Sequence, residues 1–164
     1  MKFEIVELLD FSGYKAGVYT IVINDDYSLF DNFIQENRPI FSNEIDDILS
    51  KIETIGHITG AREHLFKPNE GTLGDGICAL YDNPDKKIRL YCIKYGSTTI
   101  ILGGGGHKNV RTLQEDPKLK YENYLLRKIS KLITQSIKAG DIKWSDDGIR
   151  LIGNLTIQDD EDNE

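Results

Sequence analysis

Four consecutive glycines lead directly into a histidine and a lysine in the segment ILGGGGHKN, residues 101–109. The imidazole of His107 can accept and return a proton near neutral pH, and the ammonium of Lys108 can stabilise a negatively charged oxygen. Arg89, on the preceding apolar segment, supplies a second cation. If the strands pair as a meander, Arg89 could reach the same face as His107 and Lys108, so one histidine and two cations could converge for acid–base chemistry at a phosphate ester.

The spacing around the glycines argues against two familiar phosphate-binding loops. A P-loop has the pattern GxxxxGK[ST], whereas here His107 follows the last glycine and no serine or threonine follows Lys108. A dinucleotide-binding turn needs a βαβ unit, and short strands in series precede this run. We expect the glycines to form the side-chain-free end of a strand, which allows a bulge or the close approach of a phosphate backbone. A plain flexible turn is the alternative.

A second group of chemically capable side chains lies in the glycine-containing segment 60–76, which is predicted to be a long loop. Glu63 or His64 could act as an acid or base there. Arg62, His64 and Lys67 are candidates to bind a substrate, because loops often carry binding residues. The alternative is that these charged side chains are simply solvated.

Metals and cofactors have little support in the sequence. Cys78 and Cys92 show no CxxC spacing, and we expect them to be reduced and buried. His57, His64 and His107 lack the i, i+4 spacing of a helical zinc site. We therefore predict no metal and no cofactor.

The charge distribution is uneven along the chain, although the net charge is −7. Residues 57–140 carry 14 basic and 8 acidic side chains, while residues 1–56 and 141–164 are both strongly acidic. A basic middle can give an acidic protein a local positive face. The first 15 residues contain no long apolar run, so we expect neither a leader nor a membrane span, and a cytoplasmic location.

The length predicts one globular domain, and hydrophobic periodicity predicts both strands and helices, with an antiparallel sheet. Residues 3–9 and 18–24 read as strands, and two amphipathic helices separated by Pro39 follow. Three strands at 77–81, 88–95 and 98–102 are expected to form an antiparallel meander. Alternation in the middle strand predicts two faces, with Ile88, Leu90 and Cys92 on one and Arg89, Tyr91, Ile93 and Tyr95 on the other.

The C-terminal third is predicted to contain one helix and one strand. Asp116 and Pro117 resemble an N-cap and a first-turn proline, and Gly140 is a stop signal. The polar face of this helix carries five cations, Lys118, Lys120, Arg127, Lys128 and Lys131. We expect its two tyrosines, Tyr121 and Tyr124, to pack on the sheet. Residues 149–157 read as a terminal strand, and residues 158–164 as an acidic disordered tail.

The order of these elements resembles the RelE/HigB-like toxin superfamily of bacterial and phage toxin–antitoxin systems. The segments that carry the resemblance are IRLYCIKYG at 88–96, TTIILGGGGHKNVRT at 98–112, and the Asp-Pro that precedes the last helix. The resemblance implies a single RelE-like α+β domain over residues 1–157, with an antiparallel sheet, an N-terminal helix pair, a C-terminal helix and extra terminal strands. It also implies a cytoplasmic endoribonuclease that cleaves mRNA, often on the ribosome, and is neutralised by an antitoxin protein.

Position by position, the resemblance assigns roles to a few residues. Arg89 takes the place of the middle-strand arginine, Lys108 that of a basic residue after the last meander strand, and Arg111 that of a further basic residue of the same loop. His107 could supply the acid–base group, and Tyr91, on the Arg89 face, could stack on a base. The first meander strand departs from the family pattern at residues 79–81, where Ala-Leu-Tyr replaces charged residues.

Two hypotheses remain open on this basis. The first is a metal-independent endoribonuclease that uses Arg89, His107, Lys108 and Arg111. The second is a catalytically inactive module of the same fold that recognises a protein or RNA partner, which the net acidity and the departure at residues 79–81 favour.

Overall fold

The N-terminal third of the computed structural model is a β-hairpin followed by a long bent helix; the structure describes residues 1–81, 83, 85–108 and 116–159. Strands β1 (Lys2–Glu7) and β2 (Gly17–Ile23) pair antiparallel. Helix α1 (Leu29–Thr54) begins at the N-cap Ser28, whose hydroxyl accepts a hydrogen bond from the N–H of Asp31. The backbone leaves helical geometry at Phe41, two residues after Pro39. The predicted helix pair is thus two helical segments joined by a bend with no loop.

The remaining elements include the predicted meander and C-terminal helix, and add two short strands that the sequence did not predict, one within the expected loop 60–76 and one after the helix. In chain order, the remaining strands and helix are β3 (Phe66–Lys67), β4 (Ile77–Leu80), β5 (Ile88–Tyr95), β6 (Thr99–His107), α2 (Pro117–Lys138), β7 (Ile142–Trp144), β8 (Leu151–Gly153) and β9 (Thr156–Gln158). The two unpredicted strands are β3 and β7. The predicted cap of α2 is confirmed, because the carboxylate of Asp116 accepts from the N–H of Leu119 and Pro117 occupies the first turn.

The sheet is mixed, which corrects the expectation of a purely antiparallel one. Its seven strands lie in the order β3-β4-β5-β6-β2-β1-β9, and β7 with β8 forms a separate hairpin. The meander β4-β5-β6 is antiparallel as predicted, but β2 and β6 run parallel. A helix follows each of these two strands, so the N-termini of α1 and α2 lie toward the same end of the sheet.

Helices cover the sheet on both faces. The α1 face includes Ile88, Leu90 and Cys92, and the opposite face, under α2, includes Tyr91 and Ile93. This confirms the predicted alternation in β5. Cys78 and Cys92 lie opposite each other in β4 and β5 as free, buried thiols, and burial raises the pKa of Cys92 well above its usual value.

The four glycines form the side-chain-free end of β6, as predicted, and the predicted bulge is also present. Leu90 pairs with Gly105 and Cys92 with Leu102, so two residues, Gly103 and Gly104, lie opposite the single residue Tyr91. All four glycines are buried. A Cβ atom would meet Leu126 at Gly103 and the carboxylate of Glu122 at Gly104, so the missing side chains let α2 approach the strand closely.

The C-terminal segment differs from its prediction. The apolar run 149–157 divides into β8, which pairs with β7, and β9, which pairs with β1. Strand β9 ends at Gln158, and the buried carboxylate of Asp159 lies 2.8 Å from the ammonium of Lys128. The folded domain therefore extends past the expected boundary at residue 157. Residues 160–164 of the predicted tail lie outside the described residues.

The glycine packing predicts unequal effects of two alanine substitutions in the same strand. A Cβ at Gly105 would overlap the carbonyl oxygen of Arg89, which is backbone and cannot move away, whereas at Gly106 it would meet the flexible Lys118 side chain at 3.2 Å. We expect Gly105→Ala to lower the free energy of unfolding by about 2 kcal/mol or more, and Gly106→Ala by less than about 1 kcal/mol. Urea unfolding measures both, and equal losses would contradict this packing.

Tyr95 gives the fold a pH dependence. Its hydroxyl is buried with no hydrogen-bond partner among the described residues, and burial raises the pKa of Tyr95 well above its usual value. Above about pH 10 the unfolded chain therefore binds fewer protons than the native chain, so stability falls as pH rises. We expect Tyr95→Phe to be nearly neutral at pH 7 and to reduce this alkaline loss in urea titrations. Tyr14→Phe, at a side chain that is 93% exposed, should leave the loss unchanged.

Candidate functional site

The end of β6 and the start of β5 lie side by side and bring three sequence-predicted residues to one end of the sheet. His107 pairs with Ile88, and Gly106 pairs with Arg89. The N–H of Lys108 donates to the carbonyl of Lys87 at 2.8 Å, which continues the pairing by one residue. Arg111 lies outside the described residues.

Although they are close along the strands, Arg89 and His107 face opposite sides of the sheet. The guanidinium carbon of Arg89 is 6.0 Å from the centroid of the Tyr91 ring, on the α2 side. The His107 ring lies 4.9 Å from the ring of Phe41, at the bend of α1. The bulge explains this arrangement, because the extra residue in β6 reverses the alternation of the strand beyond Gly104. The expected convergence of Arg89 with His107 is therefore not present.

Tyr91 is fully buried beneath α2. Burial raises the pKa of its phenol, although the nearby Arg89 acts in the opposite direction. A ring in this position has no face open to a nucleobase, so the geometry does not fit the base-stacking role that the sequence suggested.

Lys108 and two of the loop candidates border one hollow, which we call the Asn83 hollow. Its volume is about 220 Å³, and its lining is His64, Leu65, Phe66, Lys67, Tyr81 and Asn83. The ammonium of Lys108 donates to the carbonyl oxygen of Asn83 at 2.9 Å and so lies at the rim. Lys67 pairs with Glu70 at 3.3 Å and remains half exposed. Arg62 is exposed on the segment before His64 and is not part of the lining.

Tyr81 lines the Asn83 hollow and packs against the core cluster on the α1 face of the sheet. The Lys51 ammonium lies 3.8 Å from the centroid of its ring, and Asp47 accepts from Lys51 and Lys86, each at 3.2 Å. Burial, and then the Asp47 carboxylate, raise the pKa of the Tyr81 phenol. The phenol therefore stays protonated near neutral pH, where it can donate a hydrogen bond to an anionic oxygen.

A second concave region lies at the carboxyl ends of the parallel strands β2 and β6, between the two helices. This crevice has a volume of about 580 Å³, and Asp25, Asp26, Glu36, Lys118 and Glu122 are among its lining residues. Open α/β sheets commonly bind ligands at such an edge. The crevice is nevertheless spanned by an internal ion network, because Lys118 lies 2.7 Å from Glu122 and 3.1 Å from Glu36.

Glu122 is the functional-looking residue that sequence reasoning missed. It is buried, and its second carboxylate oxygen has no hydrogen-bond partner among the described residues. The signal was present in the sequence, because Glu122 falls on the apolar stripe of α2 with Leu119, Leu126 and Ile129. Partial burial alone would lower the pKa of Lys118, but the Glu122 and Glu36 carboxylates outweigh it and raise that pKa.

The described residues form neither a metal-binding cluster nor a membrane-spanning helix. Among the described residues, no group of three or more His, Cys, Asp or Glu side chains is arranged to hold a metal ion. Neither α1 nor α2 combines the length and apolar character that a membrane-spanning helix needs.

Comparison with protein-family models, with curated proteins and with solved structures finds no match to this chain.

The Lys118 network predicts a non-additive pair of substitutions. Lys118→Met removes the cation from the buried Glu122, and we expect it to lower the free energy of unfolding by about 1–2 kcal/mol, reduced by the partial exposure of the lysine. Adding Glu122→Gln should recover most of that loss, because no buried charge then lacks a partner. Lys120→Met, on the same helix without a carboxylate partner in the described residues, is the control. Equal losses in all three variants, measured by urea unfolding, would contradict this account.

Proposed function

We propose that this chain is a RelE/HigB-like toxin that cleaves mRNA without a metal and is neutralised by an antitoxin protein. The observation that carries the proposal is the Asn83 hollow: His64 and Lys67 from the long loop line it, and Lys108, just after β6, donates a hydrogen bond to the carbonyl oxygen of its lining residue Asn83. The exposed His107 is the last residue of β6 and immediately precedes Lys108. Basic side chains from two distant segments of the chain therefore border the same hollow.

These residue types supply what RNA cleavage through the 2′-hydroxyl requires. A base takes the proton of the 2′-oxygen, which attacks phosphorus, and an acid protonates the departing 5′-oxygen; the products are a 2′,3′-cyclic phosphate and a 5′-hydroxyl. His107 and His64 are the candidates for these proton transfers. Lys108 and Lys67 would stabilise the negative charge that builds on the phosphoryl oxygens.

Arg89 has a different place in this proposal from the one the resemblance implied. Its guanidinium lies on the α2 side with Tyr91, across the sheet from His107. We assign it a role in positioning the β5 end rather than contact with the scissile phosphate. The cytoplasm and the ribosome are the settings in which a toxin of this kind would meet mRNA.

The test is expression of the wild-type chain in a bacterial host, with in vitro cleavage of a synthetic RNA by the purified protein. We expect growth arrest and cleavage that persists in excess EDTA, and no cleavage of the same RNA carrying 2′-O-methyl groups. His107→Ala and Lys108→Ala should each reduce the cleavage rate by about 100-fold or more. Lys15→Ala, at the opposite end of the sheet, should cleave normally. Absence of arrest and cleavage in the wild type would reject the proposal.

A catalytically inactive binding module of the same fold is the second candidate. The positions of Arg89 and His107 on opposite faces favour it, as does the burial of Tyr91. This candidate predicts a partner that co-purifies with the chain and no RNA cleavage under any condition. Charge reversal at the Asn83 hollow would then change partner binding only.

A further inference from the structure

The outer face of α2 concentrates positive charge on an otherwise acidic protein. The helix carries six Lys and Arg residues and a single acidic residue, Glu122, which is buried. Lys120, Tyr124, Arg127 and Lys131 are spaced four, three and four residues apart, so they form one stripe, and Tyr121 lies beside it. We call these five residues the α2 outer face. No acidic side chain of α2 offsets them at the surface.

Both tyrosines of this face are exposed, which corrects the expectation that they pack on the sheet. Tyr121 is 64% exposed and Tyr124 is 42% exposed. The apolar stripe of α2 already fills the core with Leu119, Leu126 and Ile129, so the tyrosines are on the other side of the helix. Both rings are therefore available to contact a ligand, and unlike the exposed Tyr14 they lie among cations of the same helix.

Two cations contact the Tyr124 ring, and an apolar hollow lies beside Tyr121 and Tyr124. Lys120 lies 5.7 Å and Arg127 lies 4.7 Å from the centroid of the Tyr124 ring. Arg127 is also fixed from below by a hydrogen bond to the carbonyl of Glu70 at 3.1 Å. An open, mainly apolar hollow of about 510 Å³ is lined by Pro117, Lys120, Tyr121, Tyr124, Leu125 and Lys128.

We propose that the α2 outer face binds single-stranded RNA, with its cations on the phosphates and the Tyr121 ring stacked on a base. Proteins bind single strands by this combination of a positive track and aromatic platforms. From Lys120 to Lys131 the helix extends about 16 Å, which accommodates several nucleotides. A membrane surface fits less well, because the apolar stripe of α2 is buried in the core and cannot insert.

The first turn of α2 lies over the end of β6, on the face of the sheet opposite to the His107 side chain. Lys118, in the first turn of α2, packs over Gly106, the residue before His107. RNA bound along α2 would therefore lead toward the end of β6. The choice of RNA as the ligand rests on the proposed function, but binding at this face requires no cleavage.

Fluorescence anisotropy with a labelled 20-nucleotide single-stranded RNA tests the proposal. We expect the double variant Lys120→Glu with Lys131→Glu to weaken binding at least tenfold and to lower the slope of log affinity against log salt by about 1.4, since each lost phosphate contact contributes about 0.7. Tyr121→Ala should weaken binding about tenfold with little change in slope. Circular dichroism checks that each variant is folded.

Two controls match these variants. Lys15→Glu with Lys143→Glu makes the same change in net charge at exposed lysines elsewhere, and Tyr14→Ala removes an exposed ring elsewhere. Both should bind RNA like the wild type. Equal weakening by the matched pairs, no RNA binding by the wild type, or tighter binding to duplex DNA than to RNA would each overturn the proposal.

The two proposals fail in distinguishable ways. RNA that binds through the α2 outer face without being cleaved would reject the endoribonuclease and retain the docking surface. If the double variant Lys120→Glu with Lys131→Glu cleaves RNA with the same KM as the wild type, the docking surface is rejected and the endoribonuclease is retained. If both hold, the double variant should raise KM and leave kcat unchanged.

Discussion

β6 lies between two helices, and through four successive residues it has no side chains. This absence lets α2 lie so close that Glu122 occupies the space above Gly104 and Leu126 the space above Gly103. It also permits the bulge opposite Tyr91, because a glycine pair bends into a two-against-one register at little steric cost. The bulge reverses the direction of every later residue in the strand. His107 therefore packs on Phe41 of α1 and not beside Arg89.

This reversal divides the cations of the basic middle segment into two groups with different surroundings. Lys108 lies on the side of the Asn83 hollow, where loop residues supply the imidazole of His64 and the ammonium of Lys67. The cations of α2 form a track with exposed tyrosines. The proposed endoribonuclease would use these two surfaces differently, the α2 outer face to bind the RNA chain and the Asn83 hollow for chemistry at a single phosphate. The net charge of −7 conceals this arrangement, because the acidic residues lie mostly before and after the basic segment.

The sequence predicted the local elements well, because their signals are local. The Asp116 cap, the alternation in β5 and the interruption of α1 near Pro39 all depend on residues a few positions apart. It did not predict the parallel pairing of β2 with β6. This pairing joins segments about 80 residues apart, and neither segment contains a local sequence pattern that indicates its partner. The sequence reading also placed Arg89 and His107 at one site, whereas their side chains lie on opposite faces of the sheet. The glycine run indicates that a bulge is possible but not where it lies, so the relation between Arg89 and His107 could not be read from spacing.

Tyr91 and Glu122 show the limit of residue type as a guide. An aromatic ring beside an arginine suggested a binding platform, yet Tyr91 is covered by a helix that lies far along the chain. Glu122 resembled one more charge on an amphipathic helix, although its position on the apolar stripe was visible in the sequence.

The two opposed cysteines give the fold an internal reporter. Both are buried on the α1 side of the sheet, and they are the only thiols in the chain. A thiol-reactive probe can therefore reach them only when α1 separates from the strands or the whole domain opens. The labelling rate in native buffer then measures how often that separation occurs, and no cysteine has to be introduced by mutation.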